Sequence, residues 1–579
     1  MESNEVLDKL PRHLQNLIID QPYNTYTAQD HAVWRYIMRQ NVRYLPGVAH
    51  ASYLDGLKRT GISIDRIPEM YGMNRILKEI GWAAVAVDGF IPPAAFMEFQ
   101  AYNVLVIAAD IRPVDQVLYT PAPDIIHEAA GHAPIIADDE YSAYLCDFGR
   151  AGSKAFSSVY DNRMYEAIRH LSILKADPYT SFDAIEKAEA ELDNLSILQK
   201  KPSEMALLRN LHWWTVEYGL IGNPESPKIY GAGLLSSIAE SHNCLKPQVK
   251  KLPYTIEAQN FSFDITTQQP QLFVTPDFKN LSIVLKQYLD TMAVRKGGME
   301  SLDKALQSDS TCTVVYSSGL QVSGKLTKVY ESQNEPVYLL FEGPSMLSFE
   351  NHQLNGQGIK YHKDGFGSPV GSVKGINGNI ETMSDGELSS SGITIGKELI
   401  LDFNSGVKVI GKLEKITRQH GYNLVFSFHN CTVRYKDKEL FKPEWGDYDM
   451  AIGESIASAF AGPADPDAFG LKYPAPEEKT HHFQHSDDTI KLHGFYRDVQ
   501  LVREKGLDAA ILKEVWHKLK ILYPGEWLLP LEIAELLSKQ NVDSNTLKEI
   551  FGFLKTRSGE NEQMQSLISD GLMLITDQY

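Results

Sequence analysis

Two histidines five positions apart, His127 and His132, with Glu128 between them, constrain this chain more than any other feature. On a regular α-helix, side chains five apart point about 140° from one another, whereas the four-residue spacing of H-E-x-x-H leaves them about 40° apart. Both rings reach one point only if His127 sits at an irregular helix start or if the helix is distorted. The neighbours supply the means: Pro123 disfavours helix before it, Asp124 can cap a first turn, and Gly131 and Pro134 loosen the hydrogen-bond ladder. The segment Pro123 to His132 therefore reads as a helix start that presents two imidazoles. Two structural histidines would satisfy the same residues, so the spacing alone leaves the chemistry open.

Two histidines under-ligate a metal. The usual third partner at an open, redox-active site is a carboxylate from another helix, the arrangement of non-haem Fe(II) oxygenases. Glu217 answers that description, as the lone acid of Leu211-His212-Trp213-Trp214-Thr215-Val216-Glu217-Tyr218-Gly219-Leu220, where an unpaired buried carboxylate would be costly. An ordinary acid on a helix surface is the alternative.

The order of the flanking segments narrows the choice. Ile111-Arg112, Tyr119-Thr120-Pro121, the histidine segment, Trp213 to Leu220 and Ile229-Tyr230-Gly231-Ala232-Gly233-Leu234-Leu235-Ser236-Ser237 together resemble the tetrahydropterin-dependent aromatic amino acid hydroxylases. The resemblance extends through Gln21-Pro22-Tyr23, His31 to Trp34, Ala83 to Val87 and Gly89 to Pro92, and on to Gln269 to Val274. It covers about the first 295 residues, roughly half of the chain.

That resemblance implies a mainly α catalytic domain and a set of roles. His127, His132 and Glu217 match the ligands of Fe(II), with positions left for O2 chemistry. Arg112 matches the fork that holds the amino acid carboxylate, and Asp124 the acid that orients it. Tyr119, Thr120, Pro123, Trp213, Tyr218, Gly233 and Ser236 match the substrate pocket. Gly89, Ile91, Phe96 and Glu128 match the pterin site, with Phe96 stacking and Glu128 near the ring and the metal. The implied reaction hydroxylates an aromatic amino acid with O2 and a reduced pterin, tetrahydrobiopterin or a relative, L-phenylalanine to L-tyrosine first among the choices. Tyrosine or tryptophan hydroxylation is the alternative within the class. Outside it stand a non-catalytic metal-binding or effector-sensing protein and a zinc hydrolase, the last disfavoured by the extra residue between the histidines.

The chain departs from the family in two places. Glu217 follows His132 by 85 positions, a wide gap for the family, and the surplus includes two periodic stretches, Tyr160 to Ala176 and Ser181 to Lys201. These predict an inserted helical hairpin at about 154–202. His212 stands where the family often carries an aromatic residue.

At 579 residues the chain exceeds one ordinary core. We expect a catalytic domain at 1–306, a duplicated β-rich domain at 307–445 and a mainly helical region at 446–579. The duplication shows as Ser318-Gly319-Leu320-Gln321-Val322-Ser323-Gly324-Lys325-Leu326 recurring as Ser405-Gly406-Val407-Lys408-Val409-Ile410-Gly411-Lys412-Leu413, a shift of 87. Gly365 to Gly371 lacks the strand-then-helix setting of a phosphate loop and reads as turn glycines, and His481, His482 and His485 as a solvated turn.

A net charge of -18 with no basic stripe argues against nucleic acid and anionic membranes. No apolar run approaches a membrane span, and Met1 to Asp20 shows no leader pattern. Four scattered cysteines suit a reducing compartment. A cytoplasmic protein is expected, with the C-terminal half as the surface for a homo-oligomer. Assembly is favoured over effector binding for the β-domain, so a chain ending near Arg295 would keep unregulated turnover.

Overall fold

Ala83–Val87 and Val104–Ala108 are unbroken apolar runs, and they form two parallel strands paired in register and buried at every position. Such runs fit strands covered on both faces, and parallel strands need a crossover, here the helix Pro93–Ala101. The computed structural model describes residues 4–89, 91–118, 124–176, 180–198, 201–264, 268–473, 485–540 and 544–576. A second small sheet in this half orders Lys228–Ile229, Leu220–Ile221, Gln271–Thr275 and Lys250–Pro253. Helices surround both sheets. The longest on one side, Ala28–Tyr44, starts at a capping box in which Thr27 and Asp30 satisfy each other's backbone N–H groups.

The expected insertion is a pair of helices, Val159–Ala176 and Phe182–Leu198, joined by a Lys175–Glu189 ion pair at 2.7 Å. Gln116 donates to Lys175 O at 3.4 Å, which ties the loop ahead of the histidine segment to the insertion.

Beyond residue 310 the chain is antiparallel sheet. Thr311–Tyr316, Gln321–Ser332 and Glu335–Phe349 form one meander, and Glu398–Asp402, Val407–Gln419 and Tyr422–Tyr435 another. The long hairpin of the first breaks register at Ser323/Lys325, Leu326/Lys328 and Tyr330/Glu331, and that of the second at Ile410/Lys412, Leu413/Lys415 and Thr417/Arg418. Each break recurs 87 positions on.

Two expectations change here. The β region runs past 445, because Tyr448–Ala451 pairs with Tyr422–Tyr435 and Ile456–Ala461 closes the edge of Thr311–Tyr316. These short strands carry little alternation, which is why the sequence pattern hides them. Gly365–Pro369 is a strand against Glu335–Phe349 rather than a turn; a Cβ at Gly367 would meet the Tyr338 hydroxyl at 2.5 Å, so glycine admits that ring.

Among the described residues a short helix, Pro466–Phe469, and then five longer ones follow, Asp487–Lys505, Ala510–Leu522, Leu528–Gln540, Ser544–Ser558 and Glu562–Thr576. They do not stand apart. Trp527, Leu528, Leu531 and Ile568 belong to the same apolar cluster as Tyr36, Ile37 and the catalytic half. Tyr36 packs edge-on against Trp527 at 5.2 Å and donates to Leu567 O at 2.7 Å. Arg35 and Glu532, both buried, pair at 2.5 Å, and Arg503 reaches Glu532 and Glu535 at 2.9 and 2.6 Å. Among the described residues no helix is long and apolar enough to cross a membrane. The four cysteines are buried and unpaired.

Candidate active site

The histidine segment is a distorted helix. Ile126–His132 forms a π-turn, closed i→i+5, before one regular turn at Ala133–Ile135. That closure places residues five apart on one face, which resolves the angular mismatch of a regular helix. Asp124 caps the start as expected, its Oδ1 accepting from His127 N at 2.9 Å. Gly131 has another duty: a Cβ there would meet Ala232 O at 2.7 Å, so glycine lets the short helix Ala232–Leu235 press against the π-turn. Glu217 ends a second π-turn, Trp213–Glu217, which continues the helix Glu204–His212.

The two turns bring three side chains together. His127 Nε2 lies 3.2 Å from His132 Nε2, Glu217 Oε2 lies 3.1 Å from His127 Nε2, and Glu217 Oε1 lies 3.3 Å from His132 Nε2. Ligands at right angles on a metal with bonds of about 2.1 Å stand about 3.0 Å apart, so the two nitrogens and two oxygens crowd one point at about the spacing of atoms around a metal. His132 is almost fully covered, while His127 and Glu217 keep some exposure, so the cluster opens on their side.

The proton of His127 can be placed. Ser236 Oγ donates its one proton to Ala232 O at 2.8 Å and lies 3.0 Å from His127 Nδ1. Its hydroxyl must therefore accept from His127 Nδ1–H, which leaves Nε2 bare and pointed at the cluster.

Burial alone would raise the Glu217 carboxyl, but the adjoining His132 and His127 outweigh it and hold it well below the ordinary range. Glu128, also buried and without a hydrogen-bond partner on Oε2, is pushed up to about 8 by burial, against the pull of His132 at 3.7 Å. His212 lies 3.8 Å from Glu217 Oε1 by Nδ1, and burial drives it down to about 4.

Arg112 and Asp124 form a buried fork pair, Nε to Oδ2 and Nη2 to Oδ1 both at 2.8 Å, and Arg112 Nη1 donates to Ser236 O at 3.2 Å. Burial works to raise Asp124, and Arg112 with the surrounding N–H donors holds it below its usual value instead. Ser236 thus touches both the arginine and the histidine.

Trp213 stacks on Tyr218 at 4.5 Å and on Phe263 at 4.1 Å, with Arg209 over the Phe263 ring at 5.8 Å. Phe263 was missed because it lies in a loop with no pattern of its own. Gly233 serves close packing, since a Cβ would meet the Tyr218 ring at 2.8 Å. Phe96 reaches the cluster through His212, their rings 6.0 Å apart. Gly89, at φ 66°, and Ile91 stand in the loop ahead of Phe96, and the Ile91 side chain packs into the N-terminal apolar cluster with Leu10 and Phe99. Any part Ile91 plays in binding a ligand therefore falls to its main chain. Tyr119, Thr120 and Pro123 lie outside the described residues.

A family model for the biopterin-dependent aromatic amino acid hydroxylases matches residues 18–157 and 150–297. The phenylalanine-4-hydroxylase of Chromobacterium violaceum is 28% identical over 275 residues, covering 47% of this chain and 78% of that one. The phenylalanine-4-hydroxylase of Pseudomonas aeruginosa is 26% identical over 264 residues, 45% of this chain and 84% of its own. A crystal structure of the Chromobacterium violaceum enzyme with iron(III) and 7,8-dihydrobiopterin is 27% identical, covers 49% of this chain and 89% of that one, and gives a TM-score of 0.39. Through residues 18–297, just under half of its length, the chain matches the biopterin-dependent aromatic amino acid hydroxylase family.

Proposed function

We propose that this chain hydroxylates an aromatic amino acid with O2, Fe(II) and a reduced pterin, L-phenylalanine to L-tyrosine before the other ring substrates. The observation that carries the reading is Ser236, whose carbonyl accepts from Arg112 while its hydroxyl fixes the tautomer of His127. A metal site alone has no use for a carboxylate clamp built into the same turn. The named relatives are phenylalanine hydroxylases, which favours phenylalanine.

His127 Nε2, His132 Nε2 and Glu217 would hold the iron, which supplies O2 activation when bound. Asp124 and Ser236 use three of the five N–H donors of Arg112 and leave one on each terminal nitrogen to grip a substrate carboxylate. Trp213, Tyr218 and Phe263 form the apolar wall against which an aromatic ring would sit. Phe96 and the Gly89–Ile91 loop would receive the pterin, and Glu128, whose carboxyl burial pushes up, stands beside His132. The 87-residue recurrence of register breaks supports a duplicated β-domain, to which we assign assembly, and the β region and helices together would form a homo-oligomer surface. The reading includes a cytoplasmic setting, for which the unpaired cysteines give support.

The test offers phenylalanine, tyrosine and tryptophan in turn to the iron-loaded protein with tetrahydropterin, and resolves products by chromatography. Tyrosine from phenylalanine, lost in Glu217→Ala, is expected. Bound iron with no hydroxylated product from any of the three would move the function to the C-terminal half.

A further inference from the structure

His212 precedes Glu217 by five positions, the same separation as His127 and His132, and the π-turn between them again puts both side chains on one face. Phe96 and Phe148 box the imidazole edge-on, at ring distances of 6.0 and 5.3 Å, so packing fixes its orientation. Its Nε2 is buried with no partner, and its Nδ1 faces Glu217 Oε1 at 3.8 Å. A proton on Nε2 would be a buried N–H without an acceptor, a rare and costly arrangement. A proton on Nδ1 points at a carboxylate. The neutral ring therefore carries its hydrogen on Nδ1.

The two oxygens of Glu217 are then unequal. Oε2 makes the approach to His127 Nε2 at 3.1 Å, whereas Oε1 makes those to His132 Nε2 at 3.3 Å and to His212 Nδ1 at 3.8 Å. A carboxylate with both oxygens free can bind a metal through one or both, and outer partners of this kind decide between the two.

We propose that His212 is a positioning residue whose Nδ1–H holds Glu217 Oε1 and confines the carboxylate to a single metal bond through Oε2. The coordination position that Oε1 would take stays open to exchangeable ligands. The proposal rests on the metal reading given above for His127, His132 and Glu217.

Mn(II) tests it without turnover. Water-proton relaxivity of the Mn(II)-loaded full chain reports the exchangeable waters on the ion, about three on a six-coordinate metal with three protein bonds. In His212→Phe, which keeps a ring and removes the donor, Glu217 is free to chelate, and relaxivity is expected to fall by about one third. His212→Asn, whose amide nitrogen stands near the place of Nδ1, should restore the wild-type value, a rescue that loss of packing does not explain. His212→Leu serves in place of the phenylalanine variant should the larger ring fail to pack, as judged by thermal unfolding of the metal-free protein. Wild-type relaxivity in the folded Phe or Leu variant, or a lowered value in Asn equal to theirs, would overturn the proposal. Failure of the wild-type chain to bind Mn(II) would overturn the metal reading itself and the proposal with it.

Discussion

Arg112 is held so firmly by Asp124 that its remaining donors are aimed before any ligand arrives. Lysine offers a point charge in place of a planar fork. Arg112→Lys is therefore expected to raise KM for the amino acid about tenfold to a hundredfold, the cost of one charge-assisted pair, while iron stoichiometry stays at the wild-type value. Equal KM values in steady-state assays would contradict the assigned clamp. Glu240 makes a different residue-scale prediction. It is 1% exposed with no partner on Oε1, and burial pushes its carboxyl from 4.5 up to about 7, against a hydrogen bond from the Gln269 backbone. Between those values the folded chain holds a proton that the unfolded chain has released, so its contribution to stability is lost as pH rises from 4.5 to about 7. Glu240→Gln should flatten that slope and gain up to about 3 kcal/mol near pH 8 but little near pH 4, as read from urea midpoints. Residue identities of this kind were legible where they sat inside dense motifs, as Arg112, His127 and Glu217 do. Phe263 and the tautomer-fixing hydroxyl of Ser236 depend on contacts between distant segments, which no local pattern encodes.

At the scale of elements, the H-E-x-x-x-H spacing already required a distorted helix, and the π-turn Ile126–His132 is that distortion. The second π-turn, Trp213–Glu217, had no such signal, because only one expected ligand lies on it. Gly131 was read as loosening the ladder, whereas its contact with Ala232 shows that it permits close approach of two backbones. Gly131→Ala must move one of them. We expect a loss of about 1–3 kcal/mol, the usual range for overpacking a tight core, together with weaker metal binding, since the π-turn carries both histidines. Thermal unfolding and metal titration of the same variant check the two parts. Unchanged metal affinity would mean that the turn is not what aligns the rings. Strands such as Ile456–Ala461 escaped the sequence reading because their pairing with Thr311–Tyr316 spans more than a hundred residues.

Across the whole molecule, the C-terminal helices are welded to the helix Ala28–Tyr44, whose Asn41 donates to Leu235 O beside Ser236. No sequence pattern signals that contact, because an amphipathic helix does not name its partner. A chain ending near Arg295 would uncover Tyr36 and leave the buried Arg35 without Glu532. Such a chain is now expected to be unstable rather than freely active. Glu532→Ala isolates the effect: removing one member of a buried pair costs about 3–5 kcal/mol, and Arg35→Met in the same chain should recover part of it in urea titrations. Additive losses in the double variant would show that the pair does not couple the two halves.

The central claim is that this chain inserts oxygen into an aromatic ring at the cluster of His127, His132 and Glu217. Turnover of phenylalanine with tetrahydropterin under isotopically heavy O2, read by mass spectrometry, tests it most directly. The account predicts tyrosine carrying one heavy oxygen atom, formed in step with pterin oxidation and absent in Glu217→Ala. Tyrosine with oxygen drawn from water, or pterin oxidised with the amino acid untouched, would contradict it.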